Sequence, residues 1–227
     1  MQLKALLLDL DGTLVDTAPD MVGTLNRVLE NHGEQPVEES LAGKLVSNGA
    51  RALLNYGFST APAKAALDEA RAAVLVDEFL KTYAEHICVK STVYDGMLDV
   101  LETCSRRGIR WGIVTNKPLE LSRSLIDALG LLNDCSILLG GDSLPVRKPD
   151  PAPMLHCCMV LSLAASECLY IGDHERDISA GKHAGMDTGA ALWGYIDEQQ
   201  SPDTWGANYL INSPSGLKTI INELLDR

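Results

Sequence analysis

The chain has 227 residues, 46% of them hydrophobic, with 31 acidic against 19 basic side chains and a formal net charge of −12. Length and apolar share suffice for one large domain, or for a core with a smaller domain attached. So acidic a surface excludes a broad docking face for nucleic acid or an anionic membrane, and any phosphate recognition must be local.

Residues 3–8 read as a strand buried on both faces, the kind that parallel sheets with helices on either side require. The uninterrupted apolar run, Ala5 to Leu8, is four residues long and Asp9 ends it. It is too short for a secretion signal, and no window approaches the ~20 apolar residues of a membrane span. From about residue 17 to 90 no strand is evident. The stretch APAKAALDEARAAVLVDEFLKTYAEHI, residues 61–87, is rich in strong helix formers. A helical insert of this size after the first strand reads as a second domain, 17–91. Its two crossings, near Thr17 and near Ser91–Tyr94, then lie together as a two-stranded hinge.

Strand character returns in IRWGIV (109–114), SILLG (136–140) and CLYIG (168–172). Helical stretches at about 95–107, 119–129, 151–162 and 175–185 separate or follow them. This alternation predicts an α/β fold, a Rossmann-like doubly wound parallel sheet formed by 1–16 and 92–227. The six cysteines contain no CxxC pair, and Cys157 and Cys158 are adjacent. They read as free thiols of a cytoplasmic protein, without a disulfide framework or a thiolate metal site.

In such sheets ligands bind beyond the carboxyl ends of the strands. The first strand ends in Asp9-Leu10-Asp11-Gly12-Thr13, the second in Thr115-Asn116-Lys117. The next connection carries Lys148 ahead of Pro149, and the last strand ends in Gly172-Asp173-His174, with Asp177 in the helix that follows. Each item alone has an ordinary structural explanation. Asp9 and Asp11 suit an Asx-turn, Thr115 or Asn116 a helix cap, Lys148 a surface lysine and Asp177 a helix-dipole partner. Four carboxylates, a hydroxyl and a lysine at successive strand ends are not explained item by item. Clustered carboxylates repel, and one protonates unless a cation sits among them. A divalent metal removes that conflict, and Mg²⁺ suits an all-oxygen site that also receives a phosphate.

The stretches DLDGTLVDT, VTNKP, KPDP and GDHERD occur in the order of the four signature motifs of the haloacid dehalogenase superfamily, and the chain resembles its phosphatases with a helical cap between the first two motifs. DLDGTLVDT and VTNKP are most similar to the phosphoglycolate phosphatase group. The resemblance implies a Mg²⁺-dependent phosphatase acting on a small-molecule phosphate ester. Asp9 is then the nucleophile that becomes an aspartyl phosphate, and Asp11 the general acid and later base. Thr115 and Asn116 bind the phosphoryl group, and Lys148 neutralises its charge and that of Asp9. Asp9, the Asp11 backbone carbonyl and Asp173 hold Mg²⁺, with Asp177 supporting the metal or its waters. His174 stands where the family often has a small hydroxyl or acidic residue; it either modifies the surroundings of the metal or contacts substrate.

The insert is expected to choose the substrate. In SNGARALL (47–54), Gly49 offers a backbone turn and Arg51 a fork for a carboxylate or phosphate, although an exposed arginine at a helix start explains the pattern equally well. SNGAR together with WGYIDEQQSPDTWGA (193–207) resembles the phosphatases of bacterial cell-wall recycling that act on N-acetylmuramic acid 6-phosphate. That ester and 2-phosphoglycolate both carry a carboxylate. Trp193 and Trp205 suit packing better than a sugar platform. A phosphomutase would use the same Asp9 and Asp11, and a non-catalytic phosphate sensor would tolerate their loss.

Overall fold

The computed structural model describes residues 3–60, 67–197 and 200–226. The chain divides into two compact units, 1–15 with 93–227, and 16–92. Of the stretch expected to be helical from residue 61, residues 61–66 lie outside the described residues, as do Glu198 and Gln199 of the 193–207 stretch.

β1 (Ala5–Leu8) is buried at every position. β2 (Val15–Asp16) ends the first crossing and pairs with β3 (Thr92–Val93) as a two-stranded sheet. Unit 16–92 is helical: α1 (Ala18–Asn31), the short α2 (Glu39–Ala42), α3 (Gly49–Thr60) and α4 (Glu69–Glu85). Met21, Val22, Leu25, Val28 and Leu29 form the buried stripe of α1, and Ala72, Leu75, Phe79 and Tyr83 that of α4. Both stripes follow the helical repeat, so burial drives these helices together. The Asp68 side chain accepts the Arg71 N–H at 2.7 Å, which sets the start of α4 beyond the sequence estimate. The buried Asp20 carboxylate clasps the return segment, accepting Lys90 N–H (2.9 Å), Ser91 N–H (2.8 Å) and the Ser91 hydroxyl (2.7 Å).

The larger unit continues with α5 (Met97–Arg106), β4 (Arg110–Val114), α6 (Leu119–Ala128), β5 (Leu138–Leu139), α7 (Ala152–Leu161), β6 (Cys168–Gly172), α8 (Glu175–Ala184), β7 (Asp187–Ala191), β8 (Tyr209–Ile211) and α9 (Pro214–Leu225). Its six strands lie in the order β5-β4-β1-β6-β7-β8 and are all parallel. The chain winds from β1 outward through β4 to β5, then returns to the other side of β1 for β6, β7 and β8. β1 is therefore the topological switch point, where a crevice opens at the carboxyl ends. Leu8 is level with Ile113 of β4 and Ile171 of β6, so Asp9, Thr115 and Asp173 emerge on the same edge.

β7, β8 and α9 extend the sheet beyond what the sequence predicted. β7 reads DTGAA, with small residues where a bulky apolar run was sought. A side chain at Gly189 would run into Ile171 and Ile211, so close packing itself removes the hydrophobic signal. Of the cysteines, Cys104, Cys157, Cys158 and Cys168 are buried, and all six are free thiols. Burial pushes the Cys104 and Cys168 thiols up to about 12 and Cys135 to about 11, which makes them inert packing groups. No described helix is long and apolar enough to cross a membrane.

Candidate functional site

Gly12 makes the turn that aims Asp9 and Asp11. Its φ is +84°, and any Cβ there would strike the Asp173 carboxylate and the Tyr195 ring. Only glycine permits that backbone and that approach. The Asp9 N–H donates to the Ile171 carbonyl at 2.8 Å, which extends the β1–β6 ladder by one residue. Asp9 is 5% exposed. Its Oδ1 accepts the Leu10 N–H at 2.8 Å and lies 2.9 Å from Lys148 Nζ. Among the described residues no donor reaches Oδ2.

Lys148 is the hub of the site. Its ammonium meets Asp9 at 2.9 Å and Asp177 Oδ1 at 2.7 Å, and donates to the Tyr170 hydroxyl at 2.8 Å and the Val114 carbonyl at 2.9 Å. With its side chain 1% exposed, no water is left to solvate it. The surface-lysine reading of Lys148 is thereby excluded. Tyr170, in the middle of a strand read only as apolar, is a member of the site that sequence reasoning missed. A phenol inside a fully buried strand two residues before Gly172-Asp173 was the available signal, since a buried hydroxyl needs a partner. Burial and the nearby Asp177 and Asp9 carboxylates hold its pKa well above the usual phenol value, so it stays a neutral donor.

Asp177 is wholly buried. It accepts the His174 N–H at 3.1 Å in a reciprocal cap of α8, so the helix-start reading holds for it, and it also meets Lys148. Burial raises its carboxyl pKa despite Lys148, and the Asp9 charge adds to the rise. Asp173 has both oxygens fixed: the Thr13 hydroxyl donates to Oδ1 at 3.2 Å and the Tyr195 N–H to Oδ2 at 2.9 Å. Gly194 fits against Asp173 and the Gly12 carbonyl only because it has no side chain. Trp193 donates its indole N–H to the Thr13 carbonyl at 3.1 Å. The 193–195 segment is thus built onto the first motif, with Trp193 in a packing role.

Carboxylate oxygens of Asp9, Asp173 and Asp177 lie within 4.8 Å of one another, all three residues buried. The Lys148 ammonium contacts two of the three, Asp9 and Asp177. An all-oxygen donor set of this kind fits a hard divalent cation. The Asp11 carboxylate is not in this group, in keeping with the expectation that only its backbone carbonyl serves a metal. Its Oδ1 faces Lys117 Nζ at 3.0 Å.

The Thr115 hydroxyl accepts the Lys117 N–H at 3.2 Å, and its own proton has no acceptor among the described residues. Asn116 donates from Nδ2 to the Lys148 carbonyl at 3.0 Å, bracing the lysine loop, while its buried Oδ1 has no partner among the described residues. His174 caps α8: its Nδ1 accepts the Arg176 N–H at 3.2 Å. The imidazole lies parallel to the Trp205 ring with centroids 6.4 Å apart. Burial, with help from the Arg176 charge, lowers its pKa to about 4. With Nδ1 an acceptor, the proton of the neutral ring sits on Nε2. Gln200, whose amide lies 3.3 Å away, must meet it with the carbonyl oxygen. His174 therefore organises the protein around the metal-type cluster.

Arg51 and Gly49 belong to the helical unit. Gly49 has φ +82° at the start of α3, and the exposed Arg51 pairs with the exposed Glu69 at 2.6 Å.

The family model for haloacid dehalogenase-like hydrolases matches residues 6–191, from β1 to the end of β7. The chain belongs to this family. Among its relatives, a phosphoglycolate phosphatase of Xanthomonas campestris pv. campestris is 41% identical over 94% of each chain. An N-acetylmuramic acid 6-phosphate phosphatase of Pseudomonas aeruginosa is 38% identical over 99% of this chain and 97% of its own. A crystal structure from Haemophilus somnus 129pt, described as a predicted phosphoglycolate phosphatase, superposes with a TM-score of 0.87 at 28% identity. It covers 97% of this chain and 99% of its own. The family resemblance drawn from the four motifs thus extends over nearly the whole sequence and fold.

Proposed function

We propose that the chain is a Mg²⁺-dependent phosphomonoesterase of the phosphoglycolate phosphatase type, acting through an aspartyl phosphate. The observation that carries this reading is the junction of Asp9 and Asp177 on the buried Lys148 ammonium, with Asp173 completing a carboxylate trio at the carboxyl end of β1. Asp9, Asp173 and the Asp11 backbone carbonyl hold the metal, and Asp177 supports it or its waters. When bound, Mg²⁺ neutralises the carboxylates and the incoming phosphate and draws charge from the phosphoryl oxygens.

Asp9 Oδ2, the oxygen without a donor, attacks phosphorus. The ester P–O bond breaks as the Asp9 O–P bond forms, and the electron pair stays on the ester oxygen, which takes a proton from the Asp11 carboxyl. In the second step Asp11, now a carboxylate, removes a proton from water. The water oxygen bonds to phosphorus, the Asp9 O–P bond breaks, and inorganic phosphate leaves. The free Thr115 proton and the Asn116 backbone amide bind the transferring group. Lys148 offsets its charge throughout. The demands are positioning and fixed electrostatics, as in phosphoryl transfer generally.

The helical unit, 17–91, serves as a cap that selects the ester, with Gly49 and Arg51 contacting substrate. The names of the two relatives favour small, carboxylate-bearing esters, N-acetylmuramic acid 6-phosphate or 2-phosphoglycolate, and hence a cytoplasmic enzyme of carbohydrate metabolism or cell-wall recycling. Phosphate release from both esters, measured with and without Mg²⁺, tests the reading. Mg²⁺-dependent inorganic phosphate supports it; an isomeric sugar phosphate would instead make the enzyme a mutase, and no product would leave a sensor.

A further inference from the structure

Each member of the Asp9–Asp11 pair faces a lysine, and the proposed chemistry uses only one of the two. Lys148 serves Asp9. Lys117 Nζ lies 3.0 Å from Asp11 Oδ1, with the lysine side chain 5% exposed and the carboxylate 15% exposed. Lysine is rarely buried to this degree without a task for its charge.

The backbone of Lys117 is held on both sides. Its N–H donates to the Thr115 hydroxyl at 3.2 Å, and its carbonyl accepts the Gly141 N–H at 2.9 Å. Gly140 and Gly141 lie so close to Leu119 and Asn116 that neither position has room for a side chain. The loop after β4 is therefore a fixed platform with the Lys117 ammonium at the Asp11 carboxyl. Asp11 sits in a tight turn, where it bridges to Val15 and the Gly12 N–H donates to the Val15 carbonyl at 3.0 Å. That turn fixes its backbone.

We propose that Lys117 is a positioning residue for leaving-group departure. It holds the Asp11 carboxyl in place and offsets the negative charge that grows on Asp11 as its proton passes to the ester oxygen. The proposal rests on Asp11 being the proton donor. Proton and electron pair move as described above: the P–O bond breaks, its pair stays on the ester oxygen, the Asp11 proton joins that oxygen, and the new carboxylate faces Lys117. A sugar or alkyl oxygen cannot leave well without the proton, whereas p-nitrophenolate can. The contribution of Lys117 should therefore scale with the basicity of the leaving group, which separates it from Lys148, Thr115 and Asn116, whose task is the phosphoryl group common to all esters.

The test compares kcat/KM for an alkyl phosphate, 2-phosphoglycolate or N-acetylmuramic acid 6-phosphate, with that for p-nitrophenyl phosphate, in wild type, Lys117→Met, Lys117→Arg and Asp11→Asn. This constant covers the steps through leaving-group departure. Loss of a charge-assisted contact predicts that Lys117→Met shifts the alkyl-to-aryl ratio by about 10- to 100-fold against the alkyl ester. Lys117→Arg, which keeps the charge, should recover much of that ratio. Equal losses on both esters, or a ratio unchanged from wild type, would overturn the proposal, and because the ratio is internal to each preparation, partial misfolding cannot mimic the expected shift. If Asp11→Asn itself leaves the ratio at the wild-type value, the proton-donor reading of Asp11 fails instead.

Discussion

Removing the Lys148 ammonium should expose the conflict it resolves. In Lys148→Met the chain keeps a side chain of similar length, but Asp9 and Asp177 lose the charge that lies 2.9 and 2.7 Å from them, and Tyr170 loses its 2.8 Å donor. Breaking a fully buried pair from one side costs about 3–5 kcal/mol. A domain of this size has roughly 5–15 kcal/mol in hand, so the variant folds. At roughly 2–4 °C per kcal/mol, its Tm should fall by roughly 6–20 °C in EDTA at neutral pH. The deficit has a sign with pH. The Asp177 carboxyl pKa is already raised by burial, so the folded state holds its proton more tightly than the unfolded state. Stability from such a group declines as pH rises from the ordinary carboxylate value through the raised one. Loss of Lys148 widens that window, so the Tm deficit should be smaller at pH 5 than at pH 7.5. Adding Asp177→Asn to Lys148→Met should restore part of the loss. Thermal melts of wild type, Lys148→Met, Asp177→Asn and the double variant in EDTA at both pH values, read as a double-mutant cycle, make the check. A wild-type Tm for Lys148→Met at pH 7.5 would refute the view of Lys148 as the buried counter-charge.

Metal removal should stop turnover, and Mg²⁺ should restore it. Ca²⁺ should inhibit, because its larger and looser shell misplaces nucleophile and phosphate; full phosphate release in EDTA would contradict the carboxylate-cluster argument. Arg51→Ala should lower kcat/KM for the carboxylate-bearing esters by roughly ten- to a hundredfold while hardly changing p-nitrophenyl phosphate hydrolysis. Equal losses would make Arg51 a structural residue of its unit through Glu69, and no loss would make it a surface residue.

The parts of this fold that bury large apolar side chains were readable in the sequence. β1, β4 and β6 appear as apolar runs, and the helices that follow β4 and β6 were expected within a residue or two of their observed bounds. β7 was not readable, because its neighbours require Gly189 and small residues. β8 was too short to show periodicity. α9 carried a usable start signal, Ser213 followed by Pro214, and the Ser213 hydroxyl accepts the Gly216 N–H at 3.3 Å. At the site the motif residues were legible because strand ends are fixed by the fold class. Side-chain partners were not. Nothing in VTNKP says that Lys117 turns to Asp11, and nothing in WGY says that the Tyr195 N–H seats Asp173. Those contacts join positions 106 and 22 residues apart, and three-dimensional packing alone brings them together. His174 shows the same limit. A histidine after the metal-type aspartate could contact substrate or organise the protein, and its cap on Arg176 and its stack on Trp205, which show the second, are not written in the local sequence.

The central claim is that Asp9 carries the phosphoryl group. The most direct measurement is acid quenching of the protein during turnover of 2-phosphoglycolate or N-acetylmuramic acid 6-phosphate with Mg²⁺, followed by mass spectrometry of its peptides. The account predicts one acid-stable, base-labile phosphoryl group on the peptide containing Asp9, absent from Asp9→Asn, which should fold, bind substrate and not turn over. Turnover by Asp9→Asn within tenfold of wild type, or a phosphoryl group found on another residue, would contradict it.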